Sequence, residues 1–244
     1  MLRGNMPILN PSAPHRERQQ SGNVIFFILL AILLLGLLTA ALRSGGIEGG
    51  QIDSETAAIN VSRMKDQANA FERGVAFIMQ NDASETDIRF AHANAPADYG
   101  NDPTVNAQFQ IFSRAGGGVE YLPPPSGLND GSGWEFYGNT HMPQVGTALP
   151  ELLAVLPNIT AEACTLINRQ IGYTGTPTDD GGSAQSPGCV YSDSSARFSS
   201  AGMYSDPASN TTDETTFSLK PATQACITCT GDGSRHFVRV LLAR

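Results

Sequence analysis

The chain has 244 residues and a formal net charge of −8, from 15 Lys and Arg against 23 Asp and Glu. The charge is divided unevenly: residues 1–43 sum to +3 and residues 44–244 to −11. So acidic an outer chain excludes nucleic acid or an anionic membrane surface as a charge-driven partner.

Residues 1–22 form a polar, proline-containing leader too short and too biased to fold alone. From Val24 to Leu42, 19 residues pass without a charge, and 14 of them are Leu, Ile, Val or Phe. In a helix such a run reaches close to the ~30 Å hydrocarbon core of a bilayer. At about −0.3 to −0.6 kcal/mol per residue, its insertion is favoured by roughly 4 to 8 kcal/mol. The expectation is a transmembrane helix over 23–43. Arg16 and Arg18 stand just before it and only Arg43 close after it, which keeps the N-terminus cytoplasmic and exports the rest.

The stretch "RSGGIEGGQID" follows, and its four glycines between 45 and 50 predict a hinge over 44–52. The exported domain then runs over 53–244. It opens on an amphipathic helix with Asp53 or Ser54 as N-cap and an apolar stripe at Ala57, Val61, Met64, Ala68, Phe71, Val75 and Ile78. Spacings of four and three put these residues on one narrow face, packed on the protein's own sheet, while Arg63, Lys65, Asp66, Glu72 and Arg73 stay solvated.

Beyond Asn81 short apolar runs alternate with turn residues. "AQFQIF", "GVEYL" and "WEFYG" predict an antiparallel meander, with Gly116–Gly118 as its first turn. "LPELLAVLP" and "ITAEACTLINRQIG" return to helical spacing, the second with Thr160 as N-cap and Gly172 as its stop. Residues 173–216 are rich in Gly, Ser, Thr, Asp and Pro and predict long loops. Strands are expected at "TTFSL" and "HFVRVLLA". The fold class is α+β: a transmembrane helix, a glycine hinge, and an amphipathic helix on an antiparallel sheet with long loops.

Cys164, Cys189, Cys226 and Cys229 all lie beyond the span, where oxidising conditions preserve disulfides. Four cysteines allow three pairings. The expected one joins Cys164 to Cys189, closing a loop of about 25 residues, and Cys226 to Cys229 across a tight turn.

The outer domain offers His92, His141 and His236 and no HExxH, GxSxG or P-loop pattern, so no enzyme, cofactor or small-molecule substrate is expected. "CITC" runs into turn residues rather than a helix, which argues against redox chemistry, and it lacks the second close cysteine pair a zinc site needs. The acidic turns at Asp179 and Asp232 do not follow the calcium-loop pattern. Sequons stand at Asn60, Asn158 and Asn210.

The basic leader, "QQSG" ending at Gly22 before the apolar helix, and the amphipathic helix leading into a sheet with C-terminal cysteines together resemble bacterial type IV pilins and the minor pseudopilins of type II secretion. The resemblance implies cleavage by a prepilin peptidase between Gly22 and Asn23. It also implies retention of the helix on the mature subunit, pilin-like subunits as partners, and residence in the inner membrane with the C-terminal domain periplasmic or extracellular. The chain departs from the family at the fifth mature position, where main subunits carry Glu and this chain has Phe27. That substitution points to a tip or priming subunit, or to no filament at all. The alternative is an unprocessed bitopic scaffold or binding protein of the envelope. A cleavable signal ending at Thr39-Ala40-Ala41 would instead release a soluble domain, though its apolar run exceeds the usual signal length.

Overall fold

A computed structural model describes residues 21–44, 47–179, 189, 197–199, 204 and 210–244. Helix α1 is Ser21–Ser44, α2 is Ile47–Gln80 and α3 is Ala161–Ile171. The strands are β1 Glu135–His141, β2 Glu151–Leu156, β3 Thr178–Asp179, β4 Asn210–Thr211, β5 Gln224–Cys229 and β6 Arg235–Leu242. The fold is therefore α+β, in two units, residues 1–52 and 53–244.

In the first unit, the large apolar side chains of α1 from Val24 to Leu38 are 41–61% exposed. The side chains described in α1 run from 24 to 39, about 24 Å of helix. Among the described residues no helix is long and apolar enough to cross a membrane. Of the hinge expected over 44–52, residue 44 ends α1 and residues 47–52 belong to α2. α2 begins at Ile47, so Gly49 and Gly50 are helical, Asp53 and Ser54 lie inside the helix rather than capping it, and Gly45 and Gly46 fall outside the described residues. An interior glycine costs about 1 kcal/mol, which a long cooperative helix absorbs.

In the second unit, α2 buries Val61, Met64, Ala68, Phe71, Val75 and Ile78 to 1% exposure or less. They share one core with Phe136, Leu152, Ala154, Leu156 and Phe237 of the sheet. Phe71 sits edge-on to Phe112, Trp134 and Phe136 at 5.3–5.6 Å between centroids. α3 packs on the same face, begun by Thr160, whose hydroxyl accepts from Ala163 N at 3.3 Å, and ended by left-handed Gly172.

The sheet order is β3-β5-β6-β2-β1-β4, antiparallel through β5-β6-β2-β1 and parallel at both edges. Alternation sends the other side chains of these strands to the opposite face. There Tyr137, Leu153, Val155, Ile227 and Val238 form a second core, covered by Met142, Val145, Tyr173 and Phe217. The two edge strands meet: Asn210 Nδ2 donates to Asp179 Oδ2 at 3.1 Å and to Thr140 Oγ1 at 3.3 Å, which curls the sheet around this second core.

Several local expectations are corrected. Residues 107–122 are not strands; Ala107–Phe109 is a 3-10 turn, and Gly117 lets this segment lie against α2. "LPELLAVLP" is the central strand β2, "TTFSL" holds a 3-10 turn at Glu214–Thr216, and "CITC" belongs to β5 rather than to a turn.

The disulfides are Cys164–Cys226 and Cys189–Cys229, with Cα atoms 5.3 and 5.7 Å apart, in place of the expected pairs. Residues three apart in a strand point to opposite faces and lie roughly 10 Å apart, beyond disulfide reach. Cys226 therefore ties β5 to α3 on one face, and Cys229 holds residue 189 on the other.

Non-reducing peptide mapping should recover these two bridges; a Cys226–Cys229 bridge in the native protein would refute the parity argument. The closed loops have separations of 62 and 40 residues. In the chain-entropy treatment, removing either bridge as an alanine pair lowers stability by about 4 kcal/mol in urea unfolding.

Gly117→Ala should cost about 1–3 kcal/mol. A Cβ there would stand 2.7 Å from Ile111 O and 3.1 Å from the Cα of Gly74 in α2, backbone that cannot step aside. A thermal melt within one degree of the parent would contradict this.

Candidate functional site

Three groups in the second unit have the ingredients of chemistry, two at strand ends and one among loop residues. The first lies where β6 begins. Ser234 Oγ is 2.7 Å from His236 Nε2, the separation of a nucleophile and its base. The bond directions oppose that role. Asn158 N donates to His236 Nδ1 at 3.4 Å, so the ring proton sits on Nε2 and is given to Ser234 Oγ. The serine hydroxyl in turn donates to Asp232 Oδ1 at 2.6 Å. A base has to accept the serine proton; this imidazole supplies one instead. The ring is 1% exposed, and burial pulls its pKa down to about 4.

The second group joins the ends of β1 and β2. Glu151 is fully buried; its Oε2 accepts from Met142 N at 2.7 Å and its Oε1 faces His141 Nδ1 at 3.3 Å. Desolvation raises its pKa, and the Met142 amide and His141 partly offset that. The surrounding groups bind one another: Glu214 accepts from Gln144 Nε2 at 3.1 Å and from Lys220 Nζ at 3.2 Å. The cluster links β1, β2 and the segment after β4.

The third is His92, 5% exposed, stacked on Tyr121 at 3.6 Å between centroids and edge-on to Phe112. Among the described residues neither ring nitrogen has a hydrogen-bond partner, and burial lowers its pKa to about 4. It behaves as a neutral aromatic. Among the described residues no group of three or more His, Cys, Asp or Glu side chains is placed to hold a metal ion.

The residues singled out by sequence are dispersed. Gly22 and Asn23 lie in the first turn of α1, in the other unit from the cysteines. The four cysteines form two separate ties, both buried, with exposures of 1–2% or less. Each sequon asparagine already uses its amide nitrogen inside the fold: Asn60 to Ser126 O at 3.0 Å, Asn158 to Asp130 Oδ2 at 2.8 Å, and Asn210 to Asp179. Asp179 and Asp232 are likewise engaged, the first buried beside Asn210 and the second by Ser234.

Sequence reading missed a surface feature. A groove of about 580 Å³ runs between α2 and the proline strip, lined by Arg63, Asp66, Ala70, Phe71, Leu122 and Pro123. Gln67 anchors its wall, accepting from Trp134 Nε1 at 3.0 Å and donating to Pro123 O at 3.1 Å. "LPPP" beside a helix position with a small residue, Ala70, was its only signal in the sequence.

The buried histidines set a pH dependence. Both have folded pKa values below the ordinary 6.5, so the unfolded chain binds the extra protons. Stability is complete above about pH 6.5 and falls as the pH drops towards 4, by roughly 2–3 kcal/mol per histidine. His92→Phe, which keeps the stack, should flatten this slope in denaturant titrations between pH 4 and 7; an unchanged slope would show that His92 does not contribute.

In comparisons with known proteins, the chain matches no protein family, no curated protein and no solved structure.

Proposed function

We propose that this is a non-enzymatic, single-span envelope protein and a pilin-like or pseudopilin-like assembly component of the tip or minor class. The observation that carries the reading is the apolar character of α1 on every side: Leu, Ile, Val and Phe from Val24 to Leu38 are all 41% exposed or more. A helix apolar all round needs lipid or other helices around it. The uninterrupted run to Leu42 extends this to the length of a bilayer. Arginines before it orient the N-terminus to the cytoplasm, and the disulfide-bonded unit lies outside. Gly22, at the head of that helix, is the processing position for a prepilin peptidase, and Asn23 becomes the first mature residue.

Support for a structural rather than catalytic role comes from the outer unit. Its serine–histidine pair is wired against proton abstraction, and its buried carboxylate serves strand ends. Phe27 favours a second reading, an unprocessed bitopic scaffold: without a carboxylate at that position, a newly freed terminal amine has no partner on the helix.

Intact mass and N-terminal sequencing of the protein from native membranes separates the two. A chain beginning at Asn23, with Gly22→Leu retaining residues 1–22, is expected. A parent chain that keeps residues 1–22 in the membrane would overturn the pilin-like reading and leave the scaffold, and a soluble chain beginning near Leu42 would overturn both.

A further inference from the structure

The outward stripe of α2 is self-complementary. Ile59, Arg63, Asp66 and Ala70 are separated by four, three and four residues, so they share one helix face with a spacing that is the same from either end. Ile59 is a protruding apolar knob, 54% exposed. Ala70 is the opposite, a small residue at the mouth of the groove walled by Phe71, Leu122 and Pro123. Between them stand one cation and one anion, both exposed and neither in an ion pair among the described residues.

We infer that the second unit pairs with a second copy of itself through this face, about a two-fold axis between residues 64 and 65. Such an axis sets Arg63 against Asp66 of the second copy and the reverse, and seats each Ile59 in the groove beside the other copy's Ala70. The contact is isologous, one patch meeting itself. Charge singles out the second copy as occupant. Residues 44–244 carry −11, so copies repel over most of their surface. The helix stripe itself adds no net charge, Glu120 being the further charged residue on the groove wall, and its two charges alternate in the sense that antiparallel pairing satisfies. Leu122, 48% exposed on the groove wall, gains cover from the incoming isoleucine. The pairing does not depend on whether Gly22 is processed.

The test uses the full chain in detergent micelles. Ile59 and Ala70 are 11 residues apart on one helix, about 16 Å, so cysteines placed at both cannot close within a chain. Under mild oxidation I59C/A70C should form a covalent dimer, and a mixture of the two single variants should as well. I59C alone and A70C alone should remain largely monomeric. In the I59C/A70C background, R63D or D66R should cut the dimer yield at least fivefold, and the double reversal R63D/D66R should restore it. Absence of dimer from I59C/A70C, efficient dimer from I59C alone, or a double reversal no better than the singles would each overturn the proposal. The last outcome would indicate a partner of different sequence.

Discussion

β2 has no outer face. All six of its residues are buried, with β1 on one side, β6 on the other and a core above and below. A sheet in this position needs cover twice, and the rest of the second unit follows from that requirement. Helices α2 and α3 close one face with a regular apolar stripe. No helix covers the second face among the described residues, so residues from turns and loops cover it: Met142, Val145, Tyr173, Phe217 and Ala222. Ordering a covering loop costs about 1–2 kcal/mol of backbone entropy per residue without the repeated internal hydrogen bonds that offset it in a helix. The covalent and polar ties gather accordingly. Cys189–Cys229 and the Asp179–Asn210 contact hold the loop-covered side, and Cys164–Cys226 holds the helix side.

The same requirement accounts for the ionisable groups. Arg197 joins Glu135 of β1 to Asp98, with 2.9 Å contacts to each, and so fixes the chain before Phe198, which enters the core. Arg239 of β6 reaches Glu72 of α2 at 3.1 Å. These pairs are partly exposed and individually weak, but they set the register of segments remote in sequence. His236 and Glu151 are costlier to bury, and both are spent on backbone amides, of Asn158 and Met142. Among the described residues, burial shifts these pKa values without bringing a reactive constellation together, so a shifted pKa alone is a poor guide to catalysis in this fold.

What could be read from the sequence was whatever repeats or caps locally. The α2 stripe from Val61 to Ile78, the Thr160 and Gly172 bounds of α3, and the β6 strand all carry their signal within 18 consecutive residues or fewer. β2 was misread as helix because a strand buried on both faces shows no alternation, only an apolar run. β5 was hidden by its cysteines, which suggest a turn when their spacing is read without the strand's two-residue period. The runs at 107–112 and 118–122 look like strands, yet their apolar residues serve as separate anchors, Ile111 in the core and Leu122 on a groove wall. The groove itself left no more than its proline run and Ala70 in the sequence, since it is made by packing an extended strip on a helix about 50 residues earlier in the chain.

The outermost strands, β3 and β4, are two residues long each within the described chain, and the backbone beside them is occupied by side chains. The Tyr99 hydroxyl takes both main-chain polar groups of Phe136, donating to its carbonyl at 3.0 Å and accepting from its amide at 2.8 Å. Asn168 does the same for Cys226, at 2.8 Å in each direction. Among the described residues, these engaged groups leave little open ladder for an incoming strand to extend. Contacts made on this described part of the unit fall on side chains rather than on an open backbone edge, so they can be rewired residue by residue, and crowding there does not by itself offer the stacking of amyloid.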